Sequence, residues 1–355
     1  MPTPLSLTKG EVLVGKIVTR DGIVFGDGSV QTSAIESVPV VTSEVFVDYL
    51  RTDSYTPTGT REYPYKTLTT AYAKAVALTP TGDKAIRIVL MSGNTAATYE
   101  NLTIDTGHIF ICGENSSGTH APILFYGTLT FNGTAGSISE NHFSIIGLML
   151  NAISGTNAIV FSGSNPQRLY LRDVWVTGNG SSHAVTMTNT GSGSVLHGND
   201  IKFSHNGTGH YHCLNVGAGA ANIDALETSG AGIPAIGVDG GTLTLTNSEI
   251  DCGGAYAIDV YAGGRATIAN STIGTTAANS SGIILRAATA VAIVGNISFS
   301  VPTSATTGRA VQGVTGSFLF YGPMYFLPDG AGTTTNSKID TVISRAAIST
   351  TITLV

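Results

Sequence analysis

The sequence predicts an all-β chain built as a right-handed, single-stranded parallel β-helix with a short N-terminal capping helix. Three observations carry this. The first is a recurring apolar unit between Gly155 and Gly316, seen at Ala158-Ile159, Ala184-Val185, Cys213-Leu214, Ala235-Ile236, Ala257-Ile258, Ile283-Ile284 and Ala310-Val311. The second residues of these pairs are 26, 29, 22, 22, 26 and 27 positions apart. The second is an independent marker in the intervening strand, a small residue at Gly147, Asp173, Asn199, Asp224, Asn247, Asn270 and Gly295, with steps of 26, 26, 25, 23, 23 and 25. Two markers moving in phase signal a stacked repeat. The third is composition: 44 Gly, only 11% charged residues and many Thr, Ser and Asn suit turns and outward strand positions. Handedness follows from the general rule for parallel crossovers.

Four segments follow from the pattern. Residues 1–40 stand apart: EVLVGKIV alternates, and GIVFGDGSVQTSA reads as strand, tight turn at Asp27-Gly28, strand. So short a piece has too little apolar surface to fold alone, so it is expected to be an attachment arm or a small collar ordered by partner chains. Residues 41–84 form a lead-in with a helical run, TTAYAKAVAL. Leu68, Tyr72, Ala75 and Val76 share one helical face and suit the open first rung of a solenoid, whose ends otherwise expose core and strand edges. Pro64 lies near the helix start. Residues 85–316 carry the coils, less regular at first, with loops at 113–121 and 132–142. Asn, Asp and Gly recur at one corner because they tolerate left-handed φ. Residues 317–355 begin with FLFYGPMYFLPDG, the most aromatic stretch of the chain, which needs a partner surface to cover it.

Two segments carry a resemblance. Gly22-Ile-Val-Phe25-Gly-Asp27-Gly28-Ser-Val-Gln31-Thr-Ser is similar to the "I-x-F-x-D-G-T-x-Q-T" element of many tailed-phage fibre and appendage proteins, with Ser29 in place of Thr. Val45-Phe-Val-Asp48, the Thr/Gly stretch after it and Tyr63-Pro64-Tyr65-Lys66-Thr67-Leu68 resemble the lead-in to pectate-lyase-like parallel β-helices. The resemblance implies a homotrimeric virion protein, assembled in the host cytoplasm. It would be a tail fibre or small tailspike that attaches to a host-surface polysaccharide or other receptor. Residues 1–40 would join it to other virion proteins, and 317–355 would form a C-terminal cap that holds the trimer. A capsid-decorating spike or head fibre is the alternative within the structural class, and a polysaccharide depolymerase is the enzymatic one.

Composition narrows the partners. The formal charge is −6, and residues 1–100 carry nine Lys/Arg against ten Asp/Glu, so no basic stripe offers phosphate neutralisation to a nucleic acid. No apolar run of about 18 residues predicts membrane insertion, and the N-terminus lacks the charged and apolar regions of a secretory signal. Cys112, Cys213 and Cys252 have no CxxC spacing and read as buried thiols. No P-loop and no nucleophile elbow is present, and no cofactor is expected.

Two clusters break the polar monotony. Aligning AIGVDG with AIDVYAG places Asp239 level with Tyr261 and Asp259 level with Gly237; aligning Ile283 with Ile258 places Arg286 beside Tyr261. Asp239, Tyr261 and Arg286 then form an outward column suited to sugar binding, with Asp259 nearby. Glycoside hydrolysis needs two carboxyl groups at a set separation, for which Asp239 and Asp259 are the candidates. The scarcity of long insertions and the single Trp175 argue for binding without cleavage, so the chain is expected not to be an enzyme; if it is one, it is a glycoside hydrolase or polysaccharide lyase. The second cluster is histidine: His183, His197, His205, His210 and His212. His210 and His212 in an HxH pair are the candidates for a metal, since three such pairs in the trimer that the resemblance implies would supply six nitrogens to one axial ion.

Overall fold

The computed structural model describes residues 23–24, 30–31, 41–114, 123–134, 140–207, 211–230, 234–276, 280–300, 309–313, 318–321, 324–326 and 338–340. The chain divides into two compact units, Met1–Pro39 and Val40–Val355. In the first, Ile23–Val24 and Val30–Gln31 pair antiparallel, Ile23 opposite Gln31 and Val24 opposite Val30. A two-residue turn at Asp27-Gly28 would instead set Val24 opposite Gln31, so the pairing is centred one half-step earlier than the dipeptide implies.

The second unit is a parallel β-solenoid whose regular part makes about eight turns. Its long strands, Arg168–Gly178, Val195–His205, Ala220–Gly230, Arg265–Thr275 and Val291–Ser300, stack in parallel register, with Thr242–Thr246 and Glu249–Cys252 together filling one level. Each level bends at a residue with positive φ: Gly147, Asp173, Asp200, Ala225, Asn247, Asn270 and Asn296. The bend splits every long strand into two arms, and a third arm is supplied by short strands that form their own ladder. In three of the seven levels the small-residue marker falls one position before the bend, at Asn199, Asp224 and Gly295. The backbone cares only which residue takes the left-handed conformation, and a polar neighbour can sit either side of it.

Alternation along the arms explains the core. Leu169, Leu171, Val174 and Val176 are fully or almost fully buried, while Arg172 and Trp175 between them are exposed. The same pattern on every level gives one continuous apolar cluster from Val45 to Val311. Phenylalanines fill much of its early part, with Phe131 and Phe143 at 5.3 Å. All three cysteines are buried and none forms a disulfide, and burial pushes their thiols up, to about 11 for Cys112 and Cys252 and about 12 for Cys213.

The lead-in packs as its helical face requires. The helix Leu68–Ala77 buries Leu68, Ala71, Tyr72 and Ala75, and Val76 lies partly buried against the same core. Thr67 caps it, with its hydroxyl accepting from Thr70 N–H, so Pro64 lies outside the first turn. Two remaining orphan donors are met by the solenoid side: Leu68 N–H donates to the Tyr49 hydroxyl at 3.0 Å and Thr69 N–H to Glu100 at 3.0 Å. Beyond residue 316, Phe318–Tyr321 and Met324–Phe326 continue the long ladder in parallel to Val291–Ser300, and Lys338–Asp340 pairs with Arg309–Gly313. Residues 341–355 lie outside the described residues.

Candidate functional site on the short-strand ladder

The short ladder runs through Ile159–Phe161, Val185–Met187, Leu214–Val216, Ile236–Val238, Tyr256–Val260, Ser281–Leu285 and Arg309–Gly313. In the core-lining register Ile159, Val185, Leu214, Ile236, Ile258, Ile283 and Val311 stand one above another, so Ile283 rather than Ile284 keeps the repeat. The next residue of each strand faces out. That outward column reads Val160, Thr186, Asn215, Gly237, Asp259, Ile284 and Gln312.

Asp259 is the anomaly in this column. It lies on the outer side of the strand yet is 0% exposed, because the next level folds a side chain over it. Arg286 Nε donates to both carboxylate oxygens, at 2.7 and 2.8 Å. The guanidinium carbon stands 4.6 Å from the Tyr256 ring centroid and 5.5 Å from that of Tyr261. Each ring face offers the cation the negative side of its quadrupole. The hydrogen bond to Asp259 holds the Arg286 pKa above its ordinary value despite burial. Burial first, and the Asp259 carboxylate second, push the Tyr261 phenol up as well.

Asp239, Tyr261 and Arg286 do form the column expected from the alignment. Asp239 N–H donates to Val216 O, Tyr261 N–H to Val238 O and Arg286 N–H to Val260 O, all at 2.9 Å, so each residue leaves its strand at the same point one level higher. Asp239 is exposed, while Tyr261 and Arg286 are half-buried. Asp259 is placed differently from an open carboxylate. Both its oxygens accept from Arg286 Nε, and no solvent reaches it. As a group it anchors Arg286; it is not presented to a substrate proton. The arrangement offers fixed donors, one exposed acceptor and an aromatic wall.

Tyr256 was not legible in the sequence. Counting back from inward Val260 by twos, Ala257 should face out and Tyr256 in. Ala257 is fully buried instead, and the half-buried Tyr256 ring lies against the Arg286 guanidinium.

The histidine cluster joins the same face. His183 and His212 stack at 5.2 Å with their planes 15° apart, and Tyr211 meets His183 edge-on at 5.7 Å. His212 N–H donates to His183 Nδ1 at 3.0 Å. A Cβ on Gly237 would stand 2.7 Å from His212 Cε1, so the imidazole fills the space that the missing side chain leaves, one level below Asp259. His205 is buried; its Nδ1 accepts from Gly207 N–H at 2.8 Å, so Nε2 carries the proton donated to Ser182 O at 2.6 Å. Burial, with His205 as the lesser cause, lowers the His183 pKa to about 4. Among the described residues no three His, Cys, Asp or Glu side chains are grouped to hold a metal ion, and His210 lies outside them. His197 is elsewhere, stacked on Tyr170 at 4.9 Å on the long ladder, where Tyr170 also meets His142 at 4.9 Å. No helix among the described residues is long and apolar enough to cross a membrane.

No protein-family profile, curated protein or solved structure matches the chain.

Proposed function

We propose that this chain is the attachment part of a tailed-phage virion appendage, a tail fibre or small tailspike that binds host-surface glycan without cleaving it. In this reading the coil is right-handed and the Leu68–Ala77 helix closes its first rung. The arm 1–40 joins other virion proteins. Three copies associate through their C-terminal segments, and multivalency converts weak single sites into avidity. The GIVFGDGSVQTS element supports the virion assignment.

The observation that carries the binding role is Arg286, fixed on buried Asp259 between Tyr256 and Tyr261, with exposed Asp239 two levels below on the same column. A lattice of protein donors and an aromatic face suits polyhydroxylated ligands. Three measurements test the reading. Incubation with bacterial surface polysaccharides should give retention of the protein and no growth of reducing ends; accumulating ends would make it a depolymerase. Sedimentation should give three times the 36.4 kDa chain mass, and a monomer would remove the trimer. Density for the protein at the capsid of a virion would reject the tail assignment.

A further inference from the structure

We infer that Arg286 is the specificity-determining residue of this face and that it takes a neutral sugar through two adjacent hydroxyls, discriminating against acidic sugars. The inference rests on the glycan-binding reading above. Its first ground is how the guanidinium is used. Only Nε is engaged, on Asp259; among the described residues no protein acceptor meets the two terminal nitrogens. The Arg286 side chain is 32% exposed while Asp259 beneath it is 1%. Two rings and a carboxylate fix the plane of the group, so its terminal donors form a preorganised fork, and little rotamer entropy is left to lose on binding.

The second ground is charge. A lone arginine fork would favour a carboxylate or phosphate. Here Asp259 already neutralises the cation from behind, at hydrogen-bond distance and out of water. Asp239 is exposed and forms no ion pair among the described residues, and its charge is felt at Tyr261. The local sum of Arg286, Asp259 and Asp239 is therefore −1. An anionic sugar would meet one guanidinium with a carboxylate behind it, and a second carboxylate, Asp239, two levels below on the same column. The Asp259 charge, out of water, is little screened, and the Asp239 charge, in water, opposes an anion most strongly at low salt. A neutral diol meets no such penalty. Its oxygens accept from the fork, a further hydroxyl can donate to Asp239, and its C–H face can lie on Tyr261.

The test uses the full chain on immobilised neutral polysaccharides (mannan and galactan) and on polygalacturonate, with binding read by surface plasmon resonance at low and physiological salt. The expected result is that at least one neutral polymer binds, with little dependence on salt, and that polygalacturonate binds more weakly than it. Arg286→Lys keeps the charge on Asp259 but loses the fork, and should weaken neutral binding roughly tenfold or more. Asp239→Asn, at an exposed position that folding does not need, should narrow the gap between the neutral and acidic polymers. Tighter binding of polygalacturonate by the wild type would overturn the inference. So would neutral binding unchanged in Arg286→Lys, which would leave the glycan reading standing and move its site elsewhere. Wild-type protein that binds none of the three polymers would reject the glycan reading, and the inference with it.

Discussion

The bend column of the long ladder and the outward column of the short ladder are built from the same repeat, yet they use it in opposite ways. At the bend, like follows like: Asn296 donates to Asn270 at 2.8 Å, and Asn247 donates to Asp224 at 2.7 Å. Each level repeats its neighbour's backbone requirement, and the side chains form an exposed, replaceable ladder. On the short ladder unlike residues succeed one another, Gly237, Asp259 and Ile284, and the first two each depend on a side chain from another level. His212 fills the gap at Gly237, and Arg286 covers Asp259. A repeat held by local backbone needs tolerates change, whereas a site held by cross-level contacts does not.

The sharpest way to break that contrast is Arg286→Met. It leaves Asp259 as a buried, uncompensated carboxylate and should cost about 3–5 kcal/mol in denaturant unfolding, most of it recovered when Asp259→Leu is added. A loss no larger than that of an exposed substitution would mean the pair is dispensable. Next comes a glycine pair. Gly237→Ala drives a Cβ into the His212 ring and should cost about 1–3 kcal/mol. Gly295→Ala, beside the bend with nothing within 4 Å of its Cβ, should stay within about 0.5 kcal/mol. Equal costs at the two positions would erase the distinction between the ladders.

Acid should act on the short ladder too. The His183 pKa is lowered from its ordinary value near 6.5 to about 4, so between these values the unfolded chain binds the extra proton. This contribution to stability is fully present above about pH 6.5 and is lost as pH falls toward about 4. Protonation would also remove the Nδ1 acceptor used by His212 N–H. Melting temperatures from pH 7 to 4.5 should fall less steeply in His183→Gln than in wild type; parallel curves would place the acid sensitivity elsewhere. The smallest effect belongs to the bend. Ala225 holds φ +55 without a polar side chain, so Ala225→Asn should stabilise the chain by up to about 1 kcal/mol. A destabilised variant would show that this level is constrained by more than its backbone.

Much of the scaffold could be read in advance, because period and alternation are local properties. The level-by-level alignment of Asp239, Tyr261 and Arg286 followed from counting residues between core-facing positions, and the hydrogen bonds of their strands agree with it. Counting failed where the alternation breaks. Ala225 is a bend residue with no turn signature, and Tyr256 faces outward only because the alternation breaks at Ala257. A buried polar network was also missed: Gln167 accepts from Gly133 N–H at 2.9 Å, and Asn189 donates to Ser162 O at 2.9 Å, each joining one level to another. Asn and Gln in a Gly-rich segment read as loop; their partners lie 27 and 34 residues away, beyond any local pattern.

The sequence by itself determined the class of fold, the phase of the coils and which residues share a column. These depend on spacing along the chain, and spacing survives without coordinates. Only the tertiary structure decided that Asp259, an outward residue by phase, is withdrawn from solvent, and that Arg286 is held by it between two tyrosines. Direction out of a strand is set by the strand, but exposure is set by what the next level lays across it. That difference turns a column with two apparent carboxylates into one with a single open acid and a fixed set of donors.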